Sequence, residues 1–351
     1  MSKETKLYLT RAGKLGEDEE LALDNDLSII GFRDIPSLES CNDYDSVFKI
    51  VEAQMPGAKP RAIGNRAGQL WAFSVAMKEG DLVVMPRKLT SQIAIGRVAG
   101  SYSYREINGE LRHLRPVKWI RPDAPRTAFE QDLLHSLGAF MTVCNISRND
   151  AERRVESILS GKPDPGLSLS IARTKITHPI AQPVDTEENL DLAQVAHDQI
   201  VAHIQTRFAG HALANLVDAV LKADGWVTKV SPPGADGGVD VLGGRGPLGL
   251  DNPRLCVQVK SQNSPADVTV YRTLQGTMQI FKADQGLLVC WGGFNKAVLS
   301  EAKQGHFAVR LWDSRDLVEA IYRTYESLPA EIQADLPLKR AWMLVQESTE
   351  S

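Results

Sequence analysis

Apolar and polar positions repeat along this chain with two periods, one of two residues and one near 3.6, and the switches between them mark out its elements. KLYLTR (6–11) and LSIIGF (27–32) predict strands, with the acidic stretch 16–26 between them read as loop. YDSVFKIVEAQM (44–55) has helical spacing and ends at PGAKP. RAIGNRAGQLWAFSVAM (61–77) predicts a second helix, with Leu70, Phe73, Val75 and Met77 on a broad apolar face. DLVVMPR (81–87), SQIAIGRVAGSYSYR (91–105) and LRHLRPVKWI (111–120) predict strands. Gly96 and Gly100 mark a bend or bulge in the long one. Asn108-Gly109 is a hairpin turn leading into the next. TAFEQDLLHSLGAFMTV (127–143) and NDAERRVESILS (149–160) predict two closing helices.

The periodicity then lapses. Residues 161–188 hold four prolines and read as a linker. NLDLAQVAHDQIVAHIQTRF (189–208) predicts a helix carrying Leu190, Leu192, Val195, Ile200 and Ile204, able to bridge domains or to form a dimer contact. YESLPAEIQADLPLKRAWMLV (325–345) predicts further helix. The expected organisation is one domain over 1–160, a linker and bridging helix over 161–205, and a second domain over 206–351.

The chain has 351 residues, enough for two cores, with ordinary hydrophobic (43%) and charged (24%) content for a soluble protein. No apolar run of about 18 residues is present, so no membrane span is expected. The N-terminus lacks the apolar core of a signal peptide. Cys41, Cys144, Cys256 and Cys290 are scattered, which argues against zinc and fits a reducing cytoplasm. The net charge of −4 argues against nucleic acid, but its distribution does not. Residues 86–126 hold nine Lys/Arg and three Asp/Glu, while acidic residues crowd 17–26 and 185–191. That local excess reads either as an electrostatic footprint or as a solvated strand face.

Chemistry gathers in PGADGGVDVL (233–242) and RLCVQVKSQ (254–262). Asp240 opens a strand after a glycine turn, and Gln258 and Lys260 lie two apart on the next strand, hence on one face. An acid, a neutral carbonyl oxygen and an amine can serve a hard divalent cation and a water beside it. Each residue also has a plainer reading. Asp236 is a turn former, Asp240 alone would be one too, and Lys260 could be a strand-end charge reaching solvent. Gln258, between Val257 and Val259, resists this, because a buried amide is costly without a partner. The Gly-rich 243–253 lacks the Lys-Ser/Thr of a phosphate loop, the histidines lack metal spacing, and no GxSxG is present.

Asp240, then Gln258-x-Lys260, after a DGGxD turn, resembles the Mrr-type branch of the PD-(D/E)XK nucleases. LANLVDAVLKADGW (213–226) is similar to the family's first helix. GLLVCWGGFNKAVLSEA (286–302) and VRLWDSRDLVEAI (309–321) are similar to its later strand, turn and helix units. The family often carries an acid near the start of that first helix. Here Ala214 and Asn215 stand there, with Asp218 a turn further on. The resemblance implies an αβββαβ core with Mg²⁺, or Mn²⁺ as substitute, held by Asp240, Gln258 and the Val259 carbonyl. It implies that Lys260 orients or helps deprotonate the attacking water.

The front half, with GDLVVMP, AIGRVAGSYSY and HLRPVKW, resembles PUA-like barrels of the EVE type. That implies a small barrel taking a modified or flipped base between aromatic rings. The aromatic candidates are Trp71, Phe73, Tyr102, Tyr104 and Trp119, with Arg87, Lys88, Arg97 and Arg105 for flanking phosphates. Trp71, Phe73 and Trp119 read more readily as core, while Tyr102 and Tyr104 alternate with serines on a strand that has one wet face. The expected fold is α/β and α+β, a PUA-like barrel with helices followed by a restriction-endonuclease-like core. The expected function is Mg-dependent, modification-dependent (type IV-like) restriction of double-stranded DNA by a cytoplasmic homodimer or higher oligomer. A structure-specific or repair nuclease, an inactive nuclease fold that binds DNA, and an RNA-binding protein stay open as alternatives.

Overall fold

The structure is a computed structural model describing residues 5–88, 90, 92–139, 141–167, 191–232 and 238–342. The chain forms two compact units, Met1–Ala124 with Ala128–Val195, and Pro125–Thr127 with Ala196–Met343.

The first unit runs β1 (Leu7–Thr10), α1 (Glu19–Asp24), β2 (Leu27–Ile30), α2 (Tyr44–Gln54), α3 (Pro60–Trp71), β3 (Leu82–Pro86), β4 (Gln92–Val98), β5 (Ser103–Ile107), β6 (Glu110–Pro125), α4 (Gln131–Leu137), β7 (Val143–Asn145) and α5 (Ala151–Leu159). The strands pair in the order β2-β6-β4-β3-β1-β7, with β5 added on β6. Because both faces are covered, β1 and β3 read as continuous apolar runs. Leu7, Leu9, Leu82 and Val84 face α4 and α5, while Tyr8 and Val83 face α2 and α3. Asp43 caps α2 in a reciprocal capping box with Ser46, and Pro60 takes the first position of α3. A π-helical turn, Ala72–Ala76, extends α3.

The predicted elements are largely present, with four differences. The acidic stretch read as loop contains α1, because Asp18 and Glu19 are buried against arginines rather than solvated. The long strand breaks after Val98. Gly96 stays inside β4, where an added Cβ would sit 2.6 Å from the Lys118 carbonyl, so its role is close passage of β6. Of the helix predicted over 127–143 only the middle forms. Its end joins the sheet as β7, antiparallel to β1, where Gln69 Oε1 accepts from the Thr142 and Val143 N–H groups at 2.8 and 3.1 Å. Lastly, the pairing path is open. Among the described residues nothing pairs β2 with β7, so the expected closed barrel is replaced by a half-barrel sheet.

Helix α6 (Leu192–Arg207) contains the boundary between the units. The second unit continues with α7 (His211–Ala223), β8 (Val227–Val230), β9 (Val241–Arg245), β10 (Asp251–Lys260), α8 (Val268–Phe281), β11 (Gln285–Cys290), α9 (Lys296–Gln304), β12 (Val309–Trp312), α10 (Ser314–Thr324) and α11 (Ala330–Asp335). Its sheet has the order β12-β11-β10-β9-β8. β8, β9 and β10 form an antiparallel meander, and β10, β11 and β12 run parallel. Val241, Val257 and Val289 face α6, α7 and α10, while Cys256, Leu288 and Cys290 face α8 and α9. The expected C-terminal helix is reduced to a turn and α11, ended near Pro337. All four cysteines are buried and free. Among the described residues no helix is long and apolar enough to cross a membrane. Most of the expected linker, from 168 on, and the turn residue Asp236 lie outside the described residues.

Candidate active site

Asp240 sits immediately before β9, beside the last residues of β10. Its N–H donates to the Val257 carbonyl at 2.9 Å. Its carboxylate accepts the Val259 N–H at 2.7 Å. The acid therefore occupies the ladder position where β9 has ended, next to the residue between Gln258 and Lys260. Along a strand, the N–H and C=O of one residue point to the same side. The Val259 carbonyl is therefore directed to the Asp240 side as well.

Gln258 is 4% exposed, and its Oε1 has no hydrogen-bond partner among the described residues. An amide oxygen in that condition forfeits its hydration without return, at a cost of about 1–3 kcal/mol. Lys260, half-buried, is in register with Cys290 on β11, on the same face as Gln258. The three predicted residues thus lie at the same end of β10. The oxygens gathered there are a carboxylate, an orphaned amide and a backbone carbonyl. That hard, oxygen-only set suits Mg²⁺. Among the described residues no group of three His, Cys, Asp or Glu side chains could hold a metal.

One neighbour was not legible in the sequence. At Gly238 (φ +86°) an added Cβ would lie 3.5 Å from Thr277 Oγ1 and 3.8 Å from Gln258 Nε2. Thr277 of α8, 3% exposed, and the Gln258 amide thus both border Gly238. The available signal was a hydroxyl on a helix face otherwise buried through Leu274 and Met278.

The candidates in the first unit are differently placed. Tyr102 Oη lies 2.7 Å from His113 Nδ1 and accepts the Leu38 N–H at 3.2 Å. Tyr104 packs its ring 4.8 Å from the His113 ring and stays half-buried. Phe73 is fully buried, and Trp71 packs edge-on against Tyr44. Trp119 donates its indole N–H toward the Ala22 and Leu27 carbonyls. Arg87 is paired with buried Glu19 at 3.5 Å and donates to Gln92. Arg97 is paired with Glu156 and donates to the Gly80 carbonyl. Both guanidiniums are thus ion-paired within the unit, the Arg87 side chain buried and that of Arg97 partly exposed. Lys88 is half-buried, its N–H bonded to Glu19. Arg105, on β5, is exposed.

Residues 206–321 match the Mrr catalytic family, described as a restriction endonuclease. This segment is an Mrr-type restriction endonuclease domain. It departs from the pattern in its first helix. Asp218 is buried and turned away, accepting from Lys222 Nζ at 2.7 Å and Thr228 Oγ1 at 2.5 Å, so it is no substitute for a helix acid at the Mrr-type site. Residues 9–145 match a domain of unknown function (DUF8426). No curated protein matches the chain. Among solved structures, the DNA modification-dependent restriction endonuclease AspBHI is 12% identical, with 94% of this chain and 84% of that one covered, at a TM-score of 0.32. The MspJI restriction endonuclease in complex with a 27-mer oligonucleotide is 14% identical, covers 95% and 80%, and scores 0.32. Agreement at that level carries no argument about this chain.

Proposed function

We propose that this protein is a metal-dependent DNA endonuclease of the modification-dependent restriction kind, with an N-terminal unit that selects the DNA and an Mrr-type domain that cuts it. The observation that carries the reading is the buried Gln258 Oε1, without a hydrogen-bond partner among the described residues, on the strand end that also holds the Asp240–Val259 bond. A cation held by Asp240, Gln258 and the Val259 carbonyl would satisfy that oxygen. Mg²⁺, or Mn²⁺ in its place, supplies Lewis-acid polarisation and a water acidified for attack.

The chain's own groups account for the rest. The Asp240 carboxylate, held by the Val259 N–H, would be the charged ligand of that cation. Gln258 contributes an oxygen without charge, which leaves the site less negative and its cation affinity lower than two carboxylates would. The Lys260 ammonium would donate to a non-bridging oxygen, offsetting charge that grows as the water oxygen bonds to phosphorus and the bridging P–O bond breaks, with the water's proton released to solvent and the leaving oxygen protonated from solvent. A single such site cuts one strand, so double-strand cleavage implies self-association on DNA.

In the first unit the β5–β6 hairpin, with Arg105 exposed and Tyr104 half-exposed, is one part of the predicted reading surface open to DNA. A PUA-like role for this unit belongs to the same proposal. A second reading, a DNA-binding protein with an inactive nuclease fold, is favoured by the diversion of Asp218. Both are tested by digesting matched plasmid DNAs that differ only in cytosine or adenine modification, with Mg²⁺ present. Cleavage confined to one modified DNA is expected. Equal cleavage of all would remove modification dependence, and none of any would favour the inactive fold.

A further inference from the structure

A cleft lies in the nuclease unit just past the end of β10. It has a volume of about 290 Å³ and is lined by Gln205 of α6, Phe208 and Ala209 just after it, Gly210 and Leu213 at the start of α7, Ser261–Asn263, and Trp291. Three features define its chemistry. The N-terminus of the 13-residue α7 opens into it with no side-chain cap, which favours an anion. Trp291 is 2% exposed, and its indole N–H has no acceptor among the described residues. Among the described residues no carboxylate lines the cleft; its polar lining is amide and hydroxyl. An indole N–H and a helix N-terminus can only donate, so the ligand must present acceptor oxygens.

Ser261, Gln262 and Asn263 follow Lys260 directly. At about 3.3 Å per residue they place the cleft within about 10 Å of the end of the catalytic strand. Successive phosphates of a DNA strand are spaced on that scale. We propose that this cleft takes a phosphodiester of the DNA backbone next to the one that is cut. The inference rests on the nuclease reading and adds a second anchor for the strand. Because no lysine or arginine lines it, the cleft positions the strand by geometry and contributes little to salt-dependent grip.

The test is an N–H NMR spectrum of the full chain labelled at its indoles. The chain has six tryptophans, and the Trp291 signal is the one lost in Trp291→Phe. The probes are a thymidine dinucleotide phosphodiester, its uncharged methylphosphonate, and inorganic phosphate. The phosphodiester is expected to move the Trp291 proton downfield, with the methylphosphonate and inorganic phosphate having little effect. Gln262→Glu, an exposed change that sets a like charge beside the ligand, should weaken that response about tenfold. An equal response to the two dinucleotides, a response to inorganic phosphate alone, or none would overturn the proposal. The readout requires no cleavage, so it can fail while Lys260-dependent cutting stands, and the reverse.

Discussion

His113 is fully buried, with Nε2 lying 3.1 Å from the Ile35 carbonyl and 3.3 Å from that of Phe32. Carbonyls only accept, so Nε2 carries the proton, and Nδ1 receives the Tyr102 hydroxyl. Burial, opposed by those carbonyls, pushes its pKa down to about 4. A depressed folded value means that the unfolded chain takes up its proton first as pH falls. Stability from this group is therefore complete above about pH 6.5 and is lost between there and pH 4, by on the order of 3 kcal/mol. Denaturant melts across that window should show the slope in wild type and its reduction in His113→Gln; parallel slopes would contradict the assignment. Gln258 makes the opposite case, an unpaired group kept at a cost. Gln258→Met, similar in shape, should raise stability by about 1–2 kcal/mol while lowering cleavage at least a hundredfold. A Tm and a cleavage rate that fall together would mean the amide is structural. Gln258 was legible because a polar residue stood between valines. Thr277 and the His113–Tyr102 pair were not, since each depends on chain segments brought together only by folding.

At the scale of elements, charge is where sequence and structure part. The basic run 86–126 reads as a footprint for nucleic acid, yet much of it is answered from within. Asp18 meets Arg112 at 2.6 Å, Glu19 meets Arg87, and Glu156 meets Arg97. Arg115 is spent on the Phe73, Ser74 and Gly100 carbonyls. The stretch that reads as acidic loop is the partner, folded as α1. Linear spacing could not reveal this, because Asp18 and Arg112 are 94 positions apart. Glu19→Gln keeps an acceptor for the Lys88 N–H but leaves the Arg87 charge without its anion. It should cost about 3 kcal/mol, the penalty of breaking a buried pair, read as a shift in the denaturation midpoint. An unchanged midpoint would place Arg87 in solvent. Local signals fared better. Asn108 and Gly109 both have positive φ, 53° and 82°, as the Asn-Gly hairpin signal requires.

Across the whole molecule, the C-terminal half was legible because a short motif and the order of elements around it agree, and each strand's face follows from its period. The front half offered aromatic rings and arginines whose use depends on what packs on them. There the fold retains Arg105 and part of Tyr104 at the surface and absorbs most of the rest. Self-association belongs to this scale as well. If two sites must act for a double-strand cut, the rate of linearising a plasmid should rise more steeply than in proportion to protein concentration, while nicking rises in proportion. Equal dependence would leave one chain cutting both strands.

The most direct measurement compares wild type with Lys260→Ala on supercoiled DNA carrying the recognised modification, in Mg²⁺ and again with the metal chelated. Wild type should cut only with metal, and the variant should bind the same DNA but cut it at least a hundredfold more slowly. Equal cleavage by the two proteins, or cleavage that persists under chelation, would contradict the site built from Asp240, Gln258 and Lys260.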